Sequence, residues 1–528
     1  MQNHPRKTPD NKPETCEINP DWFEAAIRRF ATGAGITLFG RVFGRALFAF
    51  SQIIFARYLG PEEFGLFAIV WTMLQMGSTI APLGVDKGII RYATDYWKTD
   101  VARLKGVIIQ SIGISILAGF GMGALLYFSA EFIAREIFKN AAMTPVIHGF
   151  APIFTLLATI KVTAATSRVT QRMRYAVMLE DVLPSVTTLI VFIPVFLLNY
   201  GLPGVIGSAA FGYLLSFLCG FLAIYQLFPE IFSKGVRAVS SLRELMAFSL
   251  PSWLAGAFSM FVIWINRLLV GVYRPETEVG IFQACSQVSL LFPIILSAIT
   301  AVFSPMIADL YHRERNVELR ELFIISTKWC VYLSLPLAVL TITIPRDLLN
   351  LLFGEGYETG ALTLVILSVG QIVNISTGSV GWMMMMTGNQ TKWFWNTMAM
   401  LVSSVIMNVL LTPRLGITGA AIATSFGVGM MYIVGLFQVR SIIGYWPYDR
   451  RFRKVILIGG VMFSLASASL LIDIDQAVLR ITAILFIMLV AFVILLWIIG
   501  LDWEDRVLIR FLKNRLLKKN ELEESTHG

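Results

Sequence analysis

Fourteen stretches of this chain are each apolar for long enough to cross a lipid bilayer, and a chain divided in this way has few folds open to it. The hydrocarbon core takes roughly 20 helical residues, and inside it every backbone N–H and C=O has to find its partner within the protein. The runs fall near residues 30–57, 64–86, 106–130, 145–168, 176–199 and 204–228, then near 247–273, 279–308, 321–345, 360–387, 393–412 and 416–439. Two more lie near 455–472 and 477–500. Of 528 residues 56% are hydrophobic and 15% charged, with a mean hydropathy of +0.70, too apolar for a soluble chain of this length. The expected fold is an all-α polytopic membrane protein of about fourteen transmembrane helices.

The runs are also duplicated. Tyr58 to Phe67 reads YLGPEEFGLF and Tyr273 to Phe282 reads YRPETEVGIF, an offset of 215 that puts Tyr58, Glu63, Gly65 and Phe67 in step with Tyr273, Glu278, Gly280 and Phe282. The same offset pairs Phe138 with Phe353, and Gly201, Gly204, Phe211 and Gly212 with Gly416, Gly419, Phe426 and Gly427. Matches at three places in one register indicate an internal repeat. Six runs per repeat is an even number, so both repeats enter from the same side and are parallel, related by an axis along the membrane normal. Paired halves are the build of alternating-access transporters, with the substrate site between them. The expected division is a tail (1–29), a first lobe (30–228), a linker (229–246), a second lobe (247–442), a C-terminal helix pair (443–500) and a basic tail (501–528).

Loop lysines and arginines set the orientation. Thirty-one lie on the side reached after an even number of crossings, against six on the other: Arg135, Lys139, Arg274, Arg346, Arg414 and Arg480. Both termini are therefore expected in the cytoplasm. The net charge of +9 reflects this bias, so nucleic acid is not an expected partner. The first twenty residues hold no apolar core of a cleaved signal. Asn19 and Pro20 open a short surface helix with Trp22, Phe23, Ile27 and Phe30 on one face. Residues 503–519 read as a second, with Leu508, Phe511, Leu512 and Leu516 set against Arg506, Arg510, Lys513 and Lys518.

Catalytic and metal signals are weak. Cys16, Cys219, Cys285 and Cys330 are scattered, and no two of the four histidines stand at ligand spacing. Gly35, Gly40 and Arg41 imitate a phosphate loop, but its Lys and Ser/Thr positions hold Arg41 and Val42 inside an apolar run. Neither an enzyme, a metal site nor a bound cofactor is expected. The outer loops near 131–144 and 346–359 carry no catalytic cluster, which counts against a membrane-embedded glycosyltransferase or polymerase.

Charge in the wrong solvent is more informative. Arg41 and Arg45 lie one turn apart in the first run, about 24 and 18 Å below its far end at Arg57. Facing lipid the pair would cost about 5 to 7 kcal/mol, so both are expected to face one polar cavity. Lys161 and Arg267 each lie near an interface and either snorkel or line that cavity. Glu180 and Asp181 suit a helix N-terminus beside Arg172 and Arg174, and Gln283, Gln287, Gln371, Asn374, Asn396 and Asn408 suit bridges between helices. Asp86, Arg91, Arg172 and Arg174 are candidates for the cytoplasmic entrance or gate. A cavity with arginines and few carboxylates suits an anion, phosphate or pyrophosphate best. A cation antiporter would need carboxylates deep in a lobe instead.

The first run with its RVFGR element, the turn ARYLGPEEFGLF, the segment LGVDKGIIRYA, and LLNLLFGEGYETGA and LGITGAAIATSFG downstream together resemble the Wzx-type polysaccharide flippases. These belong to the multidrug/oligosaccharidyl-lipid/polysaccharide (MOP) exporter superfamily, and the resemblance covers about residues 30–440. It implies two six-helix bundles around a central cavity in the cytoplasmic (inner) membrane. It further implies translocation of a polyprenyl-(pyro)phosphate-linked oligosaccharide, as in O-antigen synthesis, with membrane lipids and the pathway's glycosyltransferases and polymerase as partners. The membrane potential, or a coupling cation, would drive it. By position Arg41, Arg45 and, more loosely, Arg267 match cavity arginines of the related lipid II flippases, whose last helix pair flanks a lipid-tail groove. The alternative within the superfamily is a MATE-like multidrug antiporter.

Overall fold

The computed structural model describes residues 35–233, 235–470, 477–500, 502–507 and 510. The surface helix expected from Pro20 and most of that expected over 503–519 lie outside these residues, as do Cys16, Asp473 and Asp475 and the side chain of Arg41. All regular structure among the described residues is helical. The first half comprises α1 (Gly35–Ile80), α2 (Val85–Tyr96), α3 (Val101–Phe132), α4 (Met143–Phe150), α5 (Ile153–Val169), α6 (Met173–Val177), α7 (Leu183–Leu197) and α8 (Gly201–Leu227). The second comprises α9 (Leu242–Tyr273), α10 (Glu276–Ser289), α11 (Leu291–His312), α12 (Asn316–Thr343), α13 (Pro345–Phe353), α14 (Ala361–Ser376), α15 (Val380–Met386) and α16 (Gln390–Ile443). A final pair follows, α17 (Phe452–Ser469) and α18 (Ala477–Ile499). Eleven segments among the described residues are long and apolar enough to cross a membrane.

Two of those segments, Phe43–Tyr96 and Gln390–Ile443, are 54 residues each, which as straight helix would be about 80 Å long, far beyond a bilayer core. They are hairpins. In α1 the chain reverses at Gly60 (φ 73°, ψ 173°), so Phe48 stacks on Trp71 at 5.7 Å and Phe55 meets Phe67 at 5.9 Å. In α16 it reverses at Gly416 (φ 61°, ψ −145°), and the Asn396 and Gln438 amides exchange hydrogen bonds of 2.7 and 3.1 Å across the hairpin. Glycine alone enters these backbone regions without a Cβ penalty, and Gly416 is one of the residues picked out by the 215-residue repeat. Its counterpart Gly201, which opens α8, has φ 58°.

The repeat also explains how the halves meet. Gly65 and Gly280 face each other where α1 crosses α10: a Cβ on Gly65 would lie 1.8 Å from the Glu276 carbonyl oxygen, and one on Gly280 would lie 2.0 Å from that of Pro61. Small residues of this kind let membrane helices approach to backbone contact. Around the crossing one apolar cluster joins the halves, with Phe64, Phe67 and Phe150 from the first and Ile281, Phe353 and Tyr357 from the second. The Tyr357 hydroxyl donates to the Ala56 carbonyl (2.9 Å) and an Arg57 N–H to that of Leu351 (3.1 Å). At the far end of α1 the halves meet again: Trp253 Nε1 donates to the Ile80 carbonyl at 2.8 Å, and the Arg91 guanidinium lies 4.5 Å over the Phe248 ring.

The last helix pair docks on α12 through Tyr332, Val339, Leu340, Ile458, Met462, Ile484 and Met488. It is pinned at both ends. Arg480 pairs with Asp347 at 2.9 Å beside α13. At the opposite end the Lys328 ammonium, fully buried on α12, donates to Asp502 (3.1 Å), Glu504 (2.7 Å) and Asp505 (2.9 Å). Arg451 bridges Glu321, Asp449 and Glu504, and Lys454 holds Asp502 at 2.6 Å. The three carboxylates stand close enough together to ligate a metal ion, but the ammonium already sits at their focus.

Candidate functional site

The interface between the halves is built largely on α1, whose two limbs carry most of the polar groups that matter. On the first limb, Gly44 packs so tightly against Asp181 that an added Cβ would lie 2.5 Å from the Asp181 Cβ, and Gly40 packs likewise on Val177. Arg41 and Arg45, each one residue further on, therefore stand beside this contact. Arg45 is exposed and makes no hydrogen bond or ion pair with the described residues. It shares its helix face with Gln52 and Ala56, both buried, so the face turns from sealed to open as it runs from Ala56 to Arg45.

The second limb takes the two other candidate cations. Arg267 on α9 is only 7% exposed and reaches across to donate to the Thr72 hydroxyl at 3.0 Å, its guanidinium 5.2 Å from the Trp264 ring. No carboxylate pairs with it among the described residues, and its Nε–H is buried without an acceptor. Lys161 on α5 donates to the hydroxyls of Ser78 (3.0 Å) and Thr79 (2.9 Å). Both cations thus dock on hydroxyls of one limb, with Arg267 buried rather than drawn out to an interface. Gln52, the counterpart of Arg267 at the 215-residue offset, is 1% exposed and likewise leaves a buried atom, Oε1, unpartnered.

The candidate entrance residues divide. Arg91 is exposed but stacks on Phe248 across the interface, and Asp86 is half-buried in the first turn of α2. Arg172 and Arg174 are exposed, the latter 5.2 Å over the Tyr175 ring. Glu180 and Asp181 do not open a helix: they lie in a π-helical turn, Met178–Val182, between α6 and α7. Glu180 pairs with Arg168 near the end of α5. Such turns are concentrated at functional positions.

Sequence reasoning passed over Thr72, the hydroxyl that receives Arg267, and Lys328, although a lysine seven residues inside the apolar run beginning at 321 was a legible signal. It also undervalued Asn408. With Asn266 and Thr424 that residue forms a polar chain from α9 to α16: Asn408 Nδ2 donates to Asn266 Oδ1 (3.0 Å), and Asn266 Nδ2 to the Thr424 hydroxyl (3.1 Å).

The profile of a family described as "Polysaccharide biosynthesis protein" matches residues 54–361. An uncharacterized membrane protein of Methanocaldococcus jannaschii is 22% identical over 81% of this chain and 87% of its own length. A capsular polysaccharide biosynthesis protein of Staphylococcus aureus, CapF, is 22% identical over 40% of this chain and 51% of its own. "Probable flippase AglR" of Haloferax volcanii is 25% identical over 40% and 44%. The chain spans about half the length of these last two. Among solved structures, the lipid II flippase MurJ in an inward closed conformation superposes with a TM-score of 0.70 at 14% identity, covering 88% of this chain and 98% of that one. An inward-facing multidrug resistance MATE transporter gives 0.62 at 17%, covering 76% and 94%. These likenesses show the fold that the chain shares with those two transporters.

Proposed function

Because the chain belongs to the polysaccharide biosynthesis protein family, with the fold of MOP flippases and transporters, we propose that it flips a polyprenyl-(pyro)phosphate-linked oligosaccharide across the cytoplasmic membrane by alternating access of its two lobes. Arg267 carries this reading. A guanidinium buried between the halves with no carboxylate partner among the described residues and an idle N–H is costly in a membrane, and an anion arriving between the halves would relieve it. Arg45, exposed on a face that is sealed further along, is the second phosphate contact, with Arg41 beside it. Lys161 supplies a further positive charge at the end of the same limb.

The headgroup enters from the cytoplasm past Asp86, Arg91, Arg172 and Arg174 and leaves once the Gly65–Gly280 crossing parts. An inside-negative potential of about 100 mV favours outward movement of each negative charge by roughly 2.3 kcal/mol, so neither ATP nor catalysis is required. Both termini lie in the cytoplasm on this reading, and the chain serves glycosyltransferases and a polymerase of one pathway. The test is reconstitution of the purified protein with labelled polyprenyl-pyrophosphoryl sugars, scoring headgroup access in the opposite leaflet. Wild-type transfer that is lost in Arg45→Ala and Arg267→Ala is the expected result. Inertness toward these lipids together with efflux of a cationic dye would replace the proposal with a multidrug antiporter.

A further inference from the structure

On the outer flank of the first half, away from the interface, α3 and α8 both pack on α5 and hardly on each other. Gly119 of α3 seats against Thr155 and Ala158, and Gly220 of α8 against Thr163. Between them a slot of about 970 Å³ opens onto the bilayer. Its walls are apolar, with Ile109, Ile112, Leu218 and Leu222 prominent, and Gly113 leaves its floor open, nothing lying within 4 Å of where a Cβ would be.

One end is roofed by the segment joining the two halves. Phe232 reaches into the slot, and residues 236–241 are stitched along α3: Val239 N–H donates to the Ala102 carbonyl (3.1 Å), Gln110 Nε2 to the Ser240 hydroxyl (2.7 Å), and Ser241 N–H to Gln110 Oε1 (3.2 Å). At this roof stands Lys105, the one charged residue lining the slot among the described residues, its Nζ donating to the Val236 carbonyl at 3.1 Å. Two of its three ammonium N–H groups remain for a ligand.

We propose that the slot binds one anionic diacyl phospholipid, its phosphate on Lys105 and its chains between α3 and α8. The occupant follows from position and charge. An apolar slot open to hydrocarbon is filled by chains and not by water, and Lys105 lies four residues, about 6 Å, inside the start of α3, at headgroup depth. Among the described residues the lining offers that headgroup a positive charge and no carboxylate. A bound lipid touches the connecting segment, so its occupancy reports on, and steadies, the tether between the moving halves.

The full-length protein in nanodiscs, labelled with chain-diazirine phosphatidylglycerol or phosphatidylcholine and mapped by peptide mass spectrometry, tests this. Phosphatidylglycerol should label residues 108–116 and 218–232 roughly fivefold over phosphatidylcholine, the size expected of one lysine attracted to one net negative lipid charge, which the choline ammonium cancels. Lys105→Gln should abolish that preference, Gly113→Trp should reduce labelling by both lipids, and Lys392→Gln, exposed on α16, should change neither. Equal labelling by the two lipids, a preference surviving Lys105→Gln, or stronger labelling by a polyprenyl-phosphate probe overturns the assignment. Should Lys105→Gln not fold, competition by unlabelled phosphatidylglycerol but not phosphatidylcholine on the wild type decides the matter.

Discussion

Gly65→Ala tests whether the repeated turn is a gate. The added methyl would sit 1.8 Å from the Glu276 carbonyl oxygen, where ordinary contact begins at 3.4 Å, and the obstacle is backbone that no rotamer change removes. α1 and α10 must separate at this crossing by about 1.6 Å, at an overpacking cost of about 1 to 3 kcal/mol. On the alternating-access proposal this crossing parts in the other state, so the penalty falls on one side of the equilibrium and shifts it by about 5- to 150-fold toward opening at the Gly60 end. A cysteine at Ala56, buried at that end beneath Tyr357, reads the shift in a background lacking the native cysteines. Modification by an impermeant maleimide should speed up by that factor. Gly280→Ala should act in the same direction, since its methyl meets the Pro61 carbonyl at 2.0 Å, and the double variant should fall short of additivity because one separation relieves both clashes. Gly207→Ala, with open space around it, is the control. A Gly65→Ala protein that is folded, yet modified within twofold of the wild-type rate, would refute the gate.

Other consequences follow from the buried charges. Arg267→Met should remove flipping while leaving thermal stability equal or higher, because an unpaired buried charge is replaced by an apolar chain of similar length; paired transport and melting measurements check it. Lys328→Met should instead destabilise by about 3 to 5 kcal/mol, since it leaves the fully buried Glu504 with Arg451 alone, and adding Glu504→Leu should recover part of the loss in the same melting assay. Burial by itself would raise the Asp502 carboxyl, but the hydrogen bond from Lys454 and the charge of Lys328 outweigh it and hold it below the usual carboxylate range. A group lowered on folding stabilises fully above its unfolded value, about 3.9, and loses that contribution as pH falls through the folded one. Stability of the Asp502 clasp should therefore be flat from pH 5 to 8 and drop only in stronger acid, a drop that Asp502→Asn should blunt.

The sequence by itself determined the solvent, the helices and the symmetry. Long apolar runs admit helical spans because backbone groups in lipid must pair locally, and the offset of 215 marked Gly65, Gly280, Gly201 and Gly416, which need special packing or special backbone angles wherever they occur. Arg45 and Arg267 were legible as charges out of place, for the same reason of solvent. Their partners were not. That Arg267 meets Thr72, 195 residues away, and that Lys328 meets acids more than 170 residues on, depends on which helices lie side by side, and a periodic apolar pattern says nothing about that. The tertiary structure alone decided that Gly65 and Gly280 touch each other rather than repeating the same contact in separate halves. Among the described residues it also gave Arg267 a hydroxyl and no carboxylate, while giving Lys328 three carboxylates. The two cations look alike in sequence, and what separates them is the set of acceptors that packing brought within 3.1 Å.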